Sequence, residues 1–305
     1  MRLFDLHCDT LYECETRGCS LESNPLHIDL RRGCRYAPWR QVFAVWMPDT
    51  LRGEAAFERC CAVLDYARQQ ADKHPNLLHW CTDSIDVDSP CGGLLAVEGG
   101  SALAGRLDTI EALAARGVRL LTLTWNGSNE LGHGSLSDCV EGLTAFGKRV
   151  VSALERQGLV VDVSHLNDAG FWDVAQQAQR PFIASHSLSR TVTAHPRNLT
   201  DQQFSEICRR KGVVGVNYCT SHRGGTSPEK LYRHIDHFLS LGGEQTVAVG
   251  GDLDGTKLPS EWGGIAFAER LADFLSGKGY SDELIDRIFF VNAAEFFRRH
   301  FTIDN

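Results

Sequence analysis

The sequence has no apolar run approaching the ~20 residues of a membrane span. Its opening, MRLFDLHCDT, puts Asp5 and Asp9 where the apolar core of a secretion signal would have to lie. Both absences lead to the expectation of a cytoplasmic protein without a membrane partner. Long basic runs are missing too. With a formal net charge of -8 and basic residues no more clustered than Arg209-Arg210, nucleic acid and anionic lipid are excluded as partners. There is no CxxC framework, and the 11 cysteines are odd in number, so free thiols in a reducing compartment are expected rather than disulfides. No glycine-rich nucleotide loop follows the first apolar run, where HCDTLYECETRG stands instead. Internal repeats and low-complexity stretches are also absent. What remains is an ordinary globular composition, 43% hydrophobic and 23% charged, with material for a large core.

Against that background the chain carries eight short apolar runs, read as strands over 2–8, 41–47, 92–98, 118–125, 159–165, 181–186, 212–218 and 246–252. Most are nearly continuous rather than alternating, as parallel strands buried on both faces are. Helical patterns separate them. Over 54–72, Phe57, Cys60, Cys61, Leu64 and Ala67 recur at i, i+3, i+4, i+7 spacing. Further helices are expected over 107–116, 144–157, 168–179, 201–211, 228–242 and 262–278, with Asp168 and Asp201 as N-caps. This cadence predicts an α/β protein, a (β/α)8 TIM-type barrel forming one catalytic domain over 1–305, with terminal helices over 282–300 packed on it. A doubly wound open sheet is the competing arrangement, and the missing glycine loop counts against it. The long segments 10–40 and 126–143 fall where active-face loops shape a substrate site.

Residues that bind metal or move protons stand at the C-terminal ends of these runs: His7 and Asp9, Glu98, His165, His186 and Asp252. They converge only if the strands close into a barrel, whose C-terminal face carries the chemistry. Histidines with carboxylates suit Zn2+ or a similar borderline ion. One ion does not need so many ligands. A carboxylate can bridge, so Glu98 is placed between two ions, with His7 and Asp9 on one and His165 and His186 on the other, and a bridging hydroxide as nucleophile. Asp252, in VAVGGDLDG, is the candidate proton-transfer group, and Asp254 is its rival. The bland reading of the same residues is a set of hydrogen-bonded core polar groups.

In this order and spacing, FDLHCDT, LLAVEGG, LTLTWN, VVDVSH, IASHS, HPRN, HIDHF and VGGDLDG resemble the membrane (renal-type) dipeptidase family of zinc peptidases over almost the whole chain. The resemblance implies a (β/α)8 barrel with two Zn2+ ions that hydrolyses dipeptides with a free C-terminal carboxylate, L,D-dipeptides included. It assigns His7 and Asp9 to one zinc, Glu98 to the bridge, His165 and His186 to the other, and proton transfer to Asp252. It places the grip on the substrate carboxylate at Arg197, whose guanidinium offers a planar fork; Arg190 is the less favoured alternative. One position departs. Where many relatives carry a histidine in LTLTHN that donates to the reaction's oxyanion, this chain has Trp125. An indole N–H can donate, or the ring can wall the pocket, with Asn126 and His133 as substitute donors. His234 and His237 are expected to support the core; His27, His74, His79, His222 and His300 read as loop or surface residues. The expectation is a cytoplasmic dinuclear zinc dipeptidase acting on small peptides, a homodimer by base rate. An amidase or deacylase acting on other N-acyl amino acids, and a metal-binding relative without turnover, are the alternatives.

Overall fold

A computed structural model of the chain describes residues 1–302. Its strands are β1 (Leu3–Cys8), β2 (Trp39–Trp46), β3 (Leu78–Trp80), β4 (Cys91–Glu98), β5 (Val118–Thr122), β6 (Val160–Asp162), β7 (Val214–Val216) and β8 (Val247–Val249). Hydrogen-bonded neighbours run β6-β5-β4-β2-β1-β8-β7, with β3 off this path and paired to β4. The gap between β6 and β7 is filled by residues 183–184: Asp162 bridges Ile183 and Ala184 bridges Val214, both in parallel. The sheet therefore closes on itself, and its eight staves are the eight expected strands, the sixth reduced to two bridging residues.

Two apolar layers explain why the chain adopts this form. Outside, the helix Gly53–Lys73 turns Cys60, Val63, Leu64 and Ala67 into one core with Phe43, Val45, Leu95 and Val97. Inside, Phe4, Leu6, Val42, Leu94, Ala96, Leu120, Val160, Ile183, Val213 and Ala248 form a second cluster to which every stave contributes. Only the barrel's interior brings such residues together. The same cluster takes in Phe290, Phe296, Phe297 and Phe301 from the terminal helical segments Arg287–Val291 and Asn292–Thr302. Phe297 stacks on Phe4 at 5.4 Å between ring centroids, so these segments stop the barrel's N-terminal end and leave the C-terminal rim open.

The helices Asp108–Ala115, Ala145–Arg156, Asp168–Gln177, Asp201–Arg209, Pro228–Ser240 and Phe267–Gly277 fall on the expected segments, whereas Thr10–Arg17 and Leu30–Gly33 form helices within the 10–40 stretch expected to be a loop. Two N-caps differ from expectation. Asn167 Oδ1 accepts from Gly170 N at 2.8 Å, and Thr200 Oγ1 accepts from Gln203 N at 3.2 Å, so the caps lie one residue before Asp168 and Asp201. The two aspartates sit in the first turn, where their charge meets the positive end of the helix dipole. All eleven cysteines are free, and among the described residues no helix is long and apolar enough to cross a membrane.

Candidate active site

His7 reaches the barrel's mouth through an irregularity. Asp5 pairs with Gln41 and Cys8 with Phe43, so β1 spends three steps where β2 spends two. Strict alternation after Phe4 and Leu6, both in the inner cluster, would turn Cys8 inward; the extra residue re-aims the strand and sends Cys8 to the outer core instead. Asp5 holds the irregularity, its Oδ1 accepting from His7 N at 3.0 Å and Gly251 N at 2.9 Å. Burial pushes its carboxyl up to about 6, against those same hydrogen bonds.

Glu98, the last residue of β4, presents its two oxygens to different neighbours. Oε1 lies 2.9 Å from His165 Nε2 and 3.4 Å from His186 Nε2, while Oε2 lies 3.6 Å from His7 Nε2. His7 Nε2 is in turn 3.4 Å from Asp9 Oδ2. The two distal imidazoles are oriented from behind: His165 Nδ1 is 2.9 Å from Asn126 Oδ1, and His186 Nδ1 is 2.8 Å from Ser185 Oγ. Ser185 Oγ donates to Asp162 Oδ2 at 2.6 Å, and Asp162 also accepts from Thr122 Oγ1, Ser164 N and Ser185 N. Asp162 is thus a fully buried hub that ties together the stave ends bearing both histidines.

The electrostatics of this cluster call for positive charge. Burial works against a charged His7, yet the Glu98 and Asp9 carboxylates overcome it and push the imidazole up to about 10. Burial raises Glu98 well above the carboxylate range, with His7 pulling back and Asp9 and Asp252 adding to the rise. Burial, Arg197 and His7 hold His165 and His186 well below the ordinary imidazole value, in the neutral form that ligates metals. Among the described residues, neither ring nitrogen of His7 nor Oδ1 of Asp9 has a hydrogen-bond partner, although all three atoms are buried. Such orphaned polar atoms are costly unless something bonds them. A Cβ on Gly255 would stand 2.1 Å from Asp9 Oδ2 and 2.4 Å from Asp252 Oδ1, so the glycine keeps this space clear. The donor set and its unmet atoms fit a metal centre.

Asp252 follows β8 at a left-handed φ of 56°, a strained conformation outside glycine that is typical of functional positions. Its Oδ2 accepts from Asn217 Nδ2 at 3.2 Å. Burial pushes its carboxyl up to about 7, with His7 opposing and Asp9 reinforcing the shift. Asp254 is engaged elsewhere: Thr10 Oγ1 donates to one of its oxygens and His27 N to the other. A cavity of ≈ 400 Å³ opens over the cluster, with Asp9, Glu98, Asn126, His165 and Asp252 on its wall. Trp125 lines it as well, its ring edge-on to Trp46 at 5.0 Å, and Trp46 in turn meets Tyr12 edge-on at 5.3 Å. His133 turns its Nδ1 to Ser128 Oγ at 2.7 Å and is not on the cavity wall.

Arg197 is buried beside His186, donating from Nη2 to the His186 carbonyl at 3.1 Å, while its Nε has no partner among the described residues. It lies behind the wall rather than on it; Cys219 and His222 are the lining residues on that side. Arg190 pairs with Asp168 at 2.7 Å and is thereby occupied. His222, read from sequence as a loop residue, is a wall residue, and His300 is buried rather than at the surface. His234 and His237 do pack away from the cluster, as expected. Sequence reasoning missed Asp5, Asp162 and Asn217. The first two share a signal, an aspartate inside an apolar strand whose carboxylate accepts the backbone N–H two residues on.

A closed parallel barrel with buried imidazoles and carboxylates at its C-terminal rim defines a metal-dependent hydrolase. Residues 1–303 match the membrane dipeptidases, peptidase family M19, and the chain belongs to that family of metallo-dipeptidases. The uncharacterized protein in the pqqA 5' region of Klebsiella pneumoniae is 34% identical over 233 residues, 70% of this chain and 86% of that one. Dipeptidase 3 of Mus musculus is 24% identical over 273 residues, 85% of this chain and 55% of its own length. Among solved structures, a metallopeptidase from Rhodobacter sphaeroides liganded with a phosphinate mimic of the dipeptide L-Ala-D-Ala superposes with a TM-score of 0.91 at 26% identity, covering 98% of this chain and 99% of that one.

Proposed function

We propose that this protein is a dinuclear zinc dipeptidase that cleaves dipeptides with a free C-terminal carboxylate, L,D-dipeptides included. The division of Glu98 carries the reading: one oxygen faces His165 and His186, the other faces His7, which adjoins Asp9. That split suits a carboxylate held between two ions, with His7 and Asp9 serving one and His165 and His186 the other. When bound, zinc supplies Lewis acidity to the scissile carbonyl and acidifies water enough for attack near neutral pH.

The chain's own residues do the rest. Asp252, poised near neutrality and steadied by Asn217, takes a proton at its free oxygen and delivers it to the leaving amine. Arg197, buried behind the His222 side of the cavity with an Nε unpaired among the described residues, supplies the positive charge toward which the substrate carboxylate is oriented. Asn126 has committed Oδ1 to His165, which leaves its amide N–H as the donor for the developing oxyanion. Trp125, backed by Trp46 and Tyr12, gives the cavity an aromatic wall. That wall favours a second reading, an amidase for N-acyl amino acids with bulky acyl groups.

The test is a metal count on purified protein together with assays of L,L-dipeptides, L,D-dipeptides and N-acyl amino acids before and after chelation. At least about two zinc equivalents with chelator-sensitive dipeptide cleavage supports the first reading. Turnover confined to N-acyl amino acids supports the second, and turnover indifferent to chelation removes both.

A further inference from the structure

Away from Glu98, the 126–143 loop gathers a second set of metal-type donors. A ring nitrogen of His133, the Cys139 thiol and a carboxylate oxygen of Glu141 all lie within 4.8 Å of one another. In a closed tetrahedral site with bonds of about 2.0–2.3 Å, ligand atoms stand roughly 3.3–3.8 Å apart. His133 and Cys139 are half-buried and Glu141 is exposed, so small side-chain rotations close the set.

The backbone beneath these donors is already fixed, and one residue fixes it. Asn167 donates from its backbone N to the His133 carbonyl at 3.0 Å, and from Nδ2 to the carbonyls of Cys139 at 3.1 Å and Glu141 at 2.8 Å. Its Oδ1 caps the helix Asp168–Gln177, so it is anchored in turn. Ser128 Oγ, 2.7 Å from His133 Nδ1, sets the ring's orientation. Three donor-bearing positions held by a common support are the preorganisation that a metal site needs.

We propose that His133, Cys139 and Glu141 form a separate site for a borderline divalent cation of the Zn2+ class, with water as the fourth ligand. The mixed nitrogen, sulfur and oxygen donors select such an ion over Mg2+ or Ca2+. Binding releases the Cys139 thiol proton to solvent and leaves a thiolate on the ion. The bound ion staples the loop beside the catalytic cavity, where Ser135 N already donates to the His165 carbonyl at 2.6 Å.

Cobalt separates this site from the one around Glu98, because none of His7, Asp9, Glu98, His165 and His186 carries sulfur. The metal-free full-length protein is titrated with Co2+ and the near-ultraviolet thiolate-to-cobalt charge-transfer band is followed. The expected band reaches the intensity of a single thiolate ligand within the roughly three equivalents that the loop site and the two positions around Glu98 take up together, disappears in Cys139→Ser and His133→Ala, and persists in Cys219→Ser, which removes the thiol on the cavity wall. No band, or a band that survives Cys139→Ser, overturns the site whatever the outcome of the dipeptide assays. A second readout needs no variant. Zn2+ should slow iodoacetamide labelling of Cys139, mapped by peptide mass spectrometry, by roughly tenfold or more while leaving exposed Cys34 unchanged. Equal labelling of Cys139 with and without zinc also overturns it.

Discussion

His7 reaches Glu98 and Asp9 because β1 holds one residue more than β2 between Asp5 and Cys8, and Asp252 faces the cavity from a left-handed backbone conformation. Both are departures from regular strand geometry, and each is held in place by hydrogen bonds from neighbouring backbone. Asp252 N donates to the His7 carbonyl at 3.1 Å, which links the two departures directly. Asp252 has one oxygen on Asn217, a carboxyl raised to about 7 by burial, and the cavity in front of it. Asp252→Asn keeps the size and the hydrogen bond but cannot accept a proton, so kcat should fall by about 10²–10⁴-fold with bound metal unchanged. If metal content falls together with kcat, Asp252 is a ligand rather than a proton carrier. The candidate ligands were legible in the sequence because each is a polar residue closing an apolar run. Asp5 and Asp162 were not, since a carboxylate that satisfies buried backbone N–H groups looks in sequence like any polar residue within a strand. Arg197 was found only through the HPRN motif, and its place behind the wall depends on how the 187–199 loop folds back on His186.

The elements around the rim are tied together by neutral hydrogen bonds, and His234 on the helix Pro228–Ser240 is the clearest case. Ser189 N donates to His234 Nδ1 at 3.1 Å, and Nε2 lies 3.3 Å from the Arg223 carbonyl. One imidazole thereby joins the helix to the segment that carries Arg197 and to the one that carries His222. Burial lowers its pKa to about 4; the Arg223 carbonyl opposes that shift, and the charges of Arg223, His237 and Lys230 reinforce it. The unfolded chain takes up a proton below the ordinary imidazole value of 6.5 while the folded protein refuses it. The stability from this group is therefore complete above that value and is lost as pH falls toward 4. Between pH 7 and pH 5 the loss is about 2 kcal/mol. Urea unfolding at the two pH values should show a drop that is smaller by about that amount in His234→Gln than in the unmutated protein; equal drops would assign the acid sensitivity to other groups. At this scale the sequence was read well where pattern sufficed and less well at boundaries. Thr200 and Gln203 form a capping box that T-D-Q-Q spells out, although the expectation of Asp201 as the cap sets it one residue late, and the sixth stave, two bridging residues long, has no local signature that sets its length.

For the whole molecule, the parallel barrel has one end stopped by phenylalanines and the other lined with ionisable groups, and these ends have opposite demands. The eight strands and their helices could be counted from apolar runs. That the terminal helices close the lower end could not, because Phe290 and Phe297 look like residues of any amphipathic helix until Phe4 is seen to meet them. The upper end gathers Glu98, Asp9 and Asp252 within a buried cluster, and only His7 among the proposed ligands is driven toward positive charge. Without an ion, like charges and unbonded donors are held together by the rest of the fold. An ion that binds the folded chain and not the unfolded one adds RT ln(1 + [L]/Kd), about 2.7 kcal/mol at a hundredfold excess over Kd. Chelation should therefore lower the melting temperature by several degrees, reversibly on adding zinc back. In a Cys139→Ser background, which removes the proposed loop site, Glu98→Gln loses the carboxylate charge placed between the two proposed ions, so the melting temperature should no longer respond to chelator or zinc at concentrations that shift Cys139→Ser alone. Glu98→Gln also removes one of the crowded buried carboxylates, so without metal it should melt no lower than the unmutated protein does. A Glu98→Gln variant that is destabilised without metal yet still responds to zinc in the Cys139→Ser background would show that Glu98 holds the fold rather than the ions.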